Sequence, residues 1–178
     1  MKKLTVIFVL VLLSCGGNGA VPETKTNSSP KFEIKLPEGY EIEEYEQGYN
    51  LLTASKYVNG EIEGMIELRY SDDWSFSEIS NDMYIKEALT TDKFEKASST
   101  MFNNFKIQIK EKMYFKNLGN CFYSIYSGDY YSNDVRVTNV VIQFVKNDKL
   151  YTLIGSSFPD NFSNNHKQFL KSFETLKL

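Results

Sequence analysis

Residues 49–71 read YNLLTASKYVNGEIEGMIELRYS and contain the pattern that decides the fold. Asn59-Gly60 is the dipeptide that most strongly favours a two-residue β-hairpin turn, because both turn positions need positive φ angles. After the turn, apolar and polar residues alternate with the period of a strand that has one buried face. The buried side would hold Ile62, Gly64, Ile66, Leu68 and Tyr70, and the side predicted to face solvent would hold Glu61, Glu63, Met65, Glu67 and Arg69. The stretch therefore predicts a central antiparallel hairpin.

The same period of two continues on both sides of the hairpin. Further strands are predicted at residues 32–36, 40–44, 105–115, 121–131, 134–146 and 150–156. In the strand at 134–146 the apolar positions change phase, from Val135 and Val137 to Val140 and Ile142. A one-residue change of phase within a strand predicts a β-bulge, here near Thr138-Asn139.

Two helices interrupt and end this series of strands. Ser75 and Glu78 have the spacing of a capping box, which predicts a helix over residues 76–90. Residues 91–104 are interpreted as a frayed continuation of that helix. A stripe of residues at helical spacing predicts a last helix, and its members are Phe162, His166, Phe169, Leu170 and Phe173. Residues 31–178 thus form a single α+β domain, an antiparallel sheet flanked by helices.

The first fifteen residues predict export and lipidation. Residues 1–3 are basic at two of three positions, and residues 4–13 are apolar except for Thr5. Ten helical residues cover about 15 Å, half of a bilayer core, so residues 1–14 are interpreted as a signal peptide. Residues 12–16, Leu-Leu-Ser-Cys-Gly, resemble the lipobox of bacterial lipoproteins. The resemblance implies cleavage before Cys15 and diacylglyceryl and acyl (palmitate-type) chains on it; the alternative is an ordinary secretory signal that contains a cysteine.

Residues 15–30 would then connect the lipidated cysteine to the domain. After Cys15 they read GGNGAVPETKTNSSP, a polar composition typical of a flexible tether. We therefore expect a protein of the bacterial cell envelope whose partner includes the membrane. Gly16 stands where an aspartate signals inner-membrane retention in some Gram-negative bacteria, so the outer membrane is slightly favoured there.

Charge argues against one kind of partner, and cysteine content argues against a disulfide. Loss of Lys2 and Lys3 with the signal peptide leaves 18 basic and 23 acidic side chains, a net charge near −5. That balance argues against nucleic acid as a partner, because binding to phosphates needs clustered lysine and arginine. With Cys15 lipidated, Cys121 has no partner within the chain, so we expect no disulfide and an inert buried thiol.

Both ends of the domain resemble one superfamily. FEIKLPEGY at residues 32–40 resembles the F-x-I-x-x-P-x-G-W/Y opening of the PsbP/Mog1-like superfamily, which includes DcrB-type bacterial lipoproteins. LYTLIGSS at 150–157 and FLKSF at 169–173 are similar to its closing strand and helix. The resemblance implies an α/β/α sandwich around an antiparallel sheet. It implies no shared catalytic set, and no site residue is carried over.

Catalytic or metal-binding sets are sparse. His166 is the single histidine, and with Asp160 and a serine it would make a Ser-His-Asp triad. However, His166 lies on the apolar stripe of the last predicted helix, and the chain has no Gly-x-Ser-x-Gly motif. We therefore expect His166 to have a packing role. The acidic residues Asp72, Asp73, Asp129 and Asp134 would provide oxygen ligands for Ca²⁺, or serve as solvated turn residues. No cofactor or metal is predicted.

An aromatic cluster provides the candidate binding residues, Tyr126, Tyr130 and Tyr131, to which we add Trp74. Tyrosine presents a large rigid contact area and suits recognition surfaces; the alternative is that helices cover both sheet faces and bury these rings. We therefore expect a non-catalytic envelope lipoprotein that binds a protein partner or acts as an assembly scaffold. The alternatives are a carrier of a small ligand or metal ion, and a hydrolase that uses His166.

Overall fold

The computed structural model describes residues 30–43 and 49–178, and for Trp74 it describes the backbone alone. The predictions for the signal peptide, Cys15 and the tether up to residue 29 lie outside this range. The strands are β1 (Tyr40–Glu43), β2 (Asn50–Val58), β3 (Glu61–Ser71), β4 (Phe102–Phe115), β5 (Gly119–Tyr130), β6 (Arg136–Lys146) and β7 (Lys149–Ser157). The helices are α1 (Asn81–Thr90), α2 (Lys93–Ser99) and α3 (Pro159–Phe173), preceded by a 3₁₀ turn at Trp74–Ser77.

The seven strands of the described residues form one antiparallel sheet in the order β1-β2-β3-β7-β6-β5-β4. The predicted hairpin is confirmed: Asn59 and Gly60 have φ angles of 53° and 84°, as a two-residue turn of this hand requires. Asn147 and Asp148, at 51° and 59°, make the same kind of turn between β6 and β7.

Helices pack on both faces of the sheet, which confirms the α+β sandwich. On one face α3 lies over β3, β7 and β6, where Phe169 and Phe173 pack against Ile66, Leu68 and Leu153. On the other face α1 and α2 lie over β4, β5 and β6, with a separate apolar core. The buried members of that second core are Ile85, Ala88, Phe94, Phe102, Phe122, Tyr126, Val137 and Val141.

The predicted strand at residues 32–36 is wrong, because this segment is not part of the sheet. It runs beside the C-terminal tail, where the Glu33 amide donates to the Lys177 carbonyl at 3.0 Å and the Lys177 amide donates back at 2.9 Å. Phe32 and Ile34 are buried in the core under α3. Any extended segment with one buried side shows a period of two, so the pattern did not distinguish this segment from a strand.

The predicted helix start is also wrong, because a 3₁₀ turn comes first and the α-helix begins later, at Asn81. Asp73 caps the 3₁₀ turn by accepting from the Ser75 amide at 2.9 Å. Ser80 then caps α1 by accepting from the Met83 amide at 3.3 Å. Residues 91–104, interpreted as a frayed continuation, contain α2 and the start of β4.

The predicted bulge at Thr138-Asn139 is absent: β6 pairs with β5 and β7 without a register shift through these residues. The cause of the phase change is that helices cover β6 on both faces, so odd and even positions are both buried. Register irregularities lie instead in β2, between Asn50 and Leu52 and between Lys56 and Tyr57, and in edge strand β4. Those of β4 lie between Asn103 and Lys106 and between Ile107 and Ile109. Within the described part of the chain, no helix is long and apolar enough to cross a membrane.

Candidate functional site

Polar residues occupy part of the sheet face beside α1 and α2. Thr53 of β2 stands opposite Glu67 of β3, and Arg69 lies two residues further along β3. We expected Glu67 to be solvated, and this is wrong, since it is only 9% exposed. The reason is that Arg69 Nη2 lies 2.8 Å from both of its carboxylate oxygens, so the charge is paired where the sheet shields it from water.

A cleft of about 100 Å³ lies next to this ion pair. It is lined by Met65, Glu67, Arg69, Met101, Phe102, Tyr126, Tyr130, Asn139, Ile154 and Ser156. Since one water takes about 30 Å³ of liquid volume, the space holds roughly three waters or a small organic group.

One buried hydrogen-bond donor beside this cleft, on Asn139, has no partner. Asn139 is 1% exposed, and its Oδ1 accepts from the Ser156 hydroxyl at 2.5 Å. Its Nδ2 is buried and has no hydrogen-bond partner. Burial raises the pKa of Tyr126 and of Tyr130, so both phenols stay neutral at physiological pH. The cleft thus combines neutral donors with a carboxylate whose charge is already compensated.

Next to the cleft, one end of the sheet carries a cluster of exposed apolar side chains, which we call the apolar end. It consists of Tyr57, Val58, Ile62, Met101, Tyr131 and Phe158. The strand register brings them together, because β2 and β7 end where β3 starts, and β5 ends beside the start of β4. Six of the ten large apolar side chains exposed in the described residues lie here, so their distribution is uneven.

The opposite end of the sheet, which we call the tether end, is where the described chain begins. Glu33 is paired there with Lys177, just after α3, and Asn117 Nδ2 donates to the Glu174 carbonyl at 2.7 Å. A shallow cavity of about 240 Å³ lies between these segments. Tyr114, 70% exposed, lies near the end of β4 on this side.

The structure brings together three of the four aromatic residues that the sequence indicated. Tyr126 is buried and lines the cleft, Tyr130 is half-buried beside it, and Tyr131 is 59% exposed at the apolar end. The backbone of Trp74 follows β3 at the opposite end of the sheet. Sequence reasoning missed Asn139, although an amide close to the apolar residues Val137 and Val140 of β6 was a visible signal.

His166 lies on the other face of the sheet. Its Nε2 is 2.8 Å from the Tyr123 hydroxyl, its ring stacks on Phe162 at 5.2 Å between centroids, and burial lowers its pKa. Asp160 lies exposed in the first turn of α3. The hydroxyl beside the imidazole therefore belongs to a tyrosine and not to the serine that a triad needs.

The acidic residues considered for Ca²⁺ are divided between the two ends of the sheet. Asp73 caps the turn after β3, whereas Asp129, near the end of β5, pairs with Arg136 at 2.9 Å and with Asn104 at 2.7 Å. Within residues 30–43 and 49–178, no group of three or more His, Cys, Asp and Glu could hold a metal ion. Cys121 is buried, and desolvation raises the pKa of its thiol to about 12.

Comparisons with known proteins concern the fold. No protein-family model and no curated protein sequence matches the chain. The solution structure of cyanobacterial PsbP (CyanoP) from Synechocystis sp. is similar with a TM-score of 0.58 and 13% identity, over 94% of this chain and 98% of that one. A Pseudomonas aeruginosa protein of unknown function, described as a putative regulator, gives a TM-score of 0.48 and 9% identity, over 86% of this chain and 94% of its own.

A Bacteroides thetaiotaomicron protein gives a TM-score of 0.47 and 11% identity, over 82% of this chain and 44% of its own. The likeness to CyanoP extends over nearly the whole of both chains, and the antiparallel sheet with helices on both faces is the architecture that the sequence resemblance implied. This chain has a PsbP-like fold.

Proposed function

We propose that the protein is a lipid-anchored lipoprotein of the bacterial cell envelope that binds a partner protein without catalysis. The apolar end is the contact surface in this proposal. The observation that carries it is the concentration there of most of the exposed large apolar side chains of the described residues. A clustered apolar patch of this kind marks an interaction site, whereas single exposed apolar residues do not.

The residue types and the extent of the apolar end support a protein partner. Tyrosine, phenylalanine and methionine are enriched in the cores of protein interfaces, and four of its six residues are of these types. From β2 to β4 the sheet order crosses five strand intervals of about 4.8 Å, so the patch extends over roughly 24 Å. That length suits the core of an interface of ordinary size, about 800 Å² on each partner.

The direction of the chain also supports the proposal. Residues 30–33 lie at the tether end, beside Lys177, and α3 runs from Pro159 at the apolar end back to this point. Fifteen helical residues separate the two ends by about 22 Å. With lipid on Cys15, the point of attachment would lie at the end of the domain opposite the apolar end, and the fifteen-residue tether would let the domain reach up to about 50 Å from the surface.

The carrier alternative has less geometric support. Two cavities found among the described residues measure about 240 and 100 Å³. Sites for small molecules are usually clefts of about 300–1,000 Å³ that enclose most of the ligand. The geometry therefore favours a protein partner over an enclosed small ligand.

Site-directed photocrosslinking in the host would test the proposal. A photoreactive amino acid at position 131 or 62 should capture one specific protein. The same photoreactive residue at position 114 is the matched control, because Tyr114 is also an exposed tyrosine, 70% against 59% for Tyr131, but lies at the tether end. Equal recovery from positions 114 and 131, or no adduct at 131 and 62, would contradict the proposal.

The anchor needs a separate measurement. Cys15→Ala should move the protein from the membrane fraction to the soluble fraction and remove its acyl mass in intact-mass spectrometry. It should also reduce crosslinking at position 131 if the partner lies near the membrane. An unacylated wild-type chain would contradict the lipoprotein part of the proposal and leave the contact surface to be judged by crosslinking alone.

A further inference from the structure

We propose that the cleft beside the apolar end binds one primary carboxamide group, the group carried by asparagine and glutamine side chains. The inference rests on the proposed function in one respect, since the partner protein is taken as the source of that side chain. The chemistry of the cleft is independent of the source, and a free small amide would present the same group.

The unpaired amide of Asn139 sets the first requirement. Its Oδ1 is occupied by the Ser156 hydroxyl, while both N–H bonds of its buried Nδ2 have no acceptor. Buried donors are almost always paired in folded proteins, and an unpaired one costs free energy that a bound acceptor recovers. The cleft therefore needs an oxygen acceptor at Asn139, which a carboxamide carbonyl supplies.

The charges around the cleft exclude an ionic ligand. Glu67 and Arg69 compensate each other through contacts of 2.8 Å, so the pair as a whole is neutral. A bound carboxylate would meet the Glu67 charge, and a bound ammonium would meet Arg69. A carboxamide carries no charge, and its NH₂ can donate to the second lone pairs of Glu67 or to the hydroxyl of Tyr130.

Size and apolar contacts agree with this assignment. A cavity of about 150 Å³ accommodates benzene, so about 100 Å³ accommodates an amide group with one or two carbons. Met65 and Met101 line the same space, and their flexible thioethers would pack against the methylene groups that precede the amide. Met101 also belongs to the apolar end, so a side chain in the cleft would be continuous with a partner on that surface.

The test is a titration of the ¹⁵N-labelled full chain in mild detergent, followed by NMR. Acetamide is the probe, and acetate is the matched control because it has nearly the same shape with a full negative charge. Acetamide should shift the Asn139 side-chain amide signals saturably, with a dissociation constant on the order of 1–10 mM for a four-atom fragment. Acetate should bind at least tenfold more weakly.

Two variants make the result specific. Asn139→Val combined with Ser156→Ala removes both hydrogen-bonding partners together and should weaken acetamide binding at least tenfold, read from the remaining shifts of Tyr126 and Tyr130. Tyr130→Phe, which removes only one hydroxyl near the rim, should weaken it severalfold. Ser55→Ala is the control, since its hydroxyl is buried and unpaired but does not line the cleft, and it should leave binding unchanged.

The outcomes separate this inference from the proposed function. No saturable shift with acetamide, or equal binding of acetate, would overturn the carboxamide site even if position 131 still crosslinks a partner. Saturable acetamide binding without any crosslinked partner would support the site and contradict the protein-binding function. Loss of both acetamide binding and crosslinking in the Asn139→Val/Ser156→Ala variant would support the partner's side chain as the natural occupant.

Discussion

The two faces of the sheet differ in what covers them. Under α3 the face is sealed by apolar side chains, among which Phe169 and Phe173 have no exposed surface. On the other face the apolar core under α1 and α2 adjoins a polar cleft that contains a carboxylate, a guanidinium and an unpaired amide. We therefore expect the α3 face to contribute more to stability than the face with the cleft, where Asn139 leaves a buried donor unpaired.

The largest expected effect is the loss of an aromatic ring from the α3 face. Phe169→Ala should lower the free energy of unfolding by about 3–5 kcal/mol, because a fully buried ring leaves a cavity. Phe94→Ala on the other face should cost less, since its side chain is slightly exposed and lies in the short helix α2, which can adjust. Urea denaturation of both variants measures the difference, and an equal or larger loss for Phe94→Ala would reject this division of the two faces.

A methyl group added beneath an aromatic ring should give the next largest effect. A Cβ at Gly155 would lie 2.5 Å from the Phe169 ring, and one at Gly128 would lie 2.6 Å from Phe102 Cβ. Overpacking typically costs about 1–3 kcal/mol. Gly155→Ala should reach the upper part of that range, because Phe169 is fixed in the middle of α3. Gly128→Ala should cost less, because Phe102 begins an edge strand, and a larger loss there in thermal denaturation would contradict this comparison.

Removal of unpaired polar groups should raise stability. Ser55→Ala removes a buried hydroxyl without a partner and should raise the free energy of unfolding by up to about 1 kcal/mol. Asn139→Val with Ser156→Ala should give a gain of similar size, because both partners of one hydrogen bond become apolar. Denaturant titration provides both values. A marked loss of stability in the double variant would show that the Asn139 amide supports the fold and is not held for a ligand.

The smallest expected effect is a pH dependence on the α3 face. Burial lowers the pKa of His166 in the folded protein below the unfolded value of about 6.5. The unfolded chain therefore binds more protons in this window, so stability should fall as the pH drops below about 6.5 and level off below the folded pKa. His166→Gln should flatten this part of the curve in thermal denaturation at pH 7.5 to 5.

The acidic groups provide a separate window for that measurement. The pKa of Asp129 is lowered by its hydrogen bonds to Asn104 and Arg136, and that of Glu33 by Lys177. Their contributions are present above the unfolded pKa of about 4 and are lost as the pH falls through the folded values. An unchanged slope between pH 6.5 and 5 in His166→Gln would assign the dependence to other groups.

The sequence predicted the sheet well where one local feature decides the structure. Asn59-Gly60 specified its hairpin because few residues tolerate two successive positive φ angles, and the stripe at Phe169 and Phe173 specified α3. Prediction failed where tertiary contacts decide. Nothing local distinguishes residues 32–36 from a strand, and the phase change in β6 reflects two covering helices that a single strand does not reveal.

The candidate site was predictable only in part. The alternation of β5 correctly placed Tyr126 and Tyr130 on one side, where both line the cleft. Other residues that line the cleft come from β3, β6 and the segment before β4. Pairing between strands that are far apart in sequence brings these residues together. The pattern also assigned Glu67 to solvent. A period of two shows which face of the sheet a residue occupies, but it does not show what covers that face.

If the protein carries the proposed lipid anchor, edge strand β4 would have a further consequence. Its fourteen residues carry Lys106, Lys110 and Lys112 and two register irregularities. Lipid chains would confine many copies to a two-dimensional layer, where encounters between exposed strand edges are far more frequent than in dilute solution. Lysines and irregular pairing are known means of blocking edge-to-edge association. In the proposed anchored state, such an edge would keep neighbouring chains separate, so that each copy would stay available to a partner.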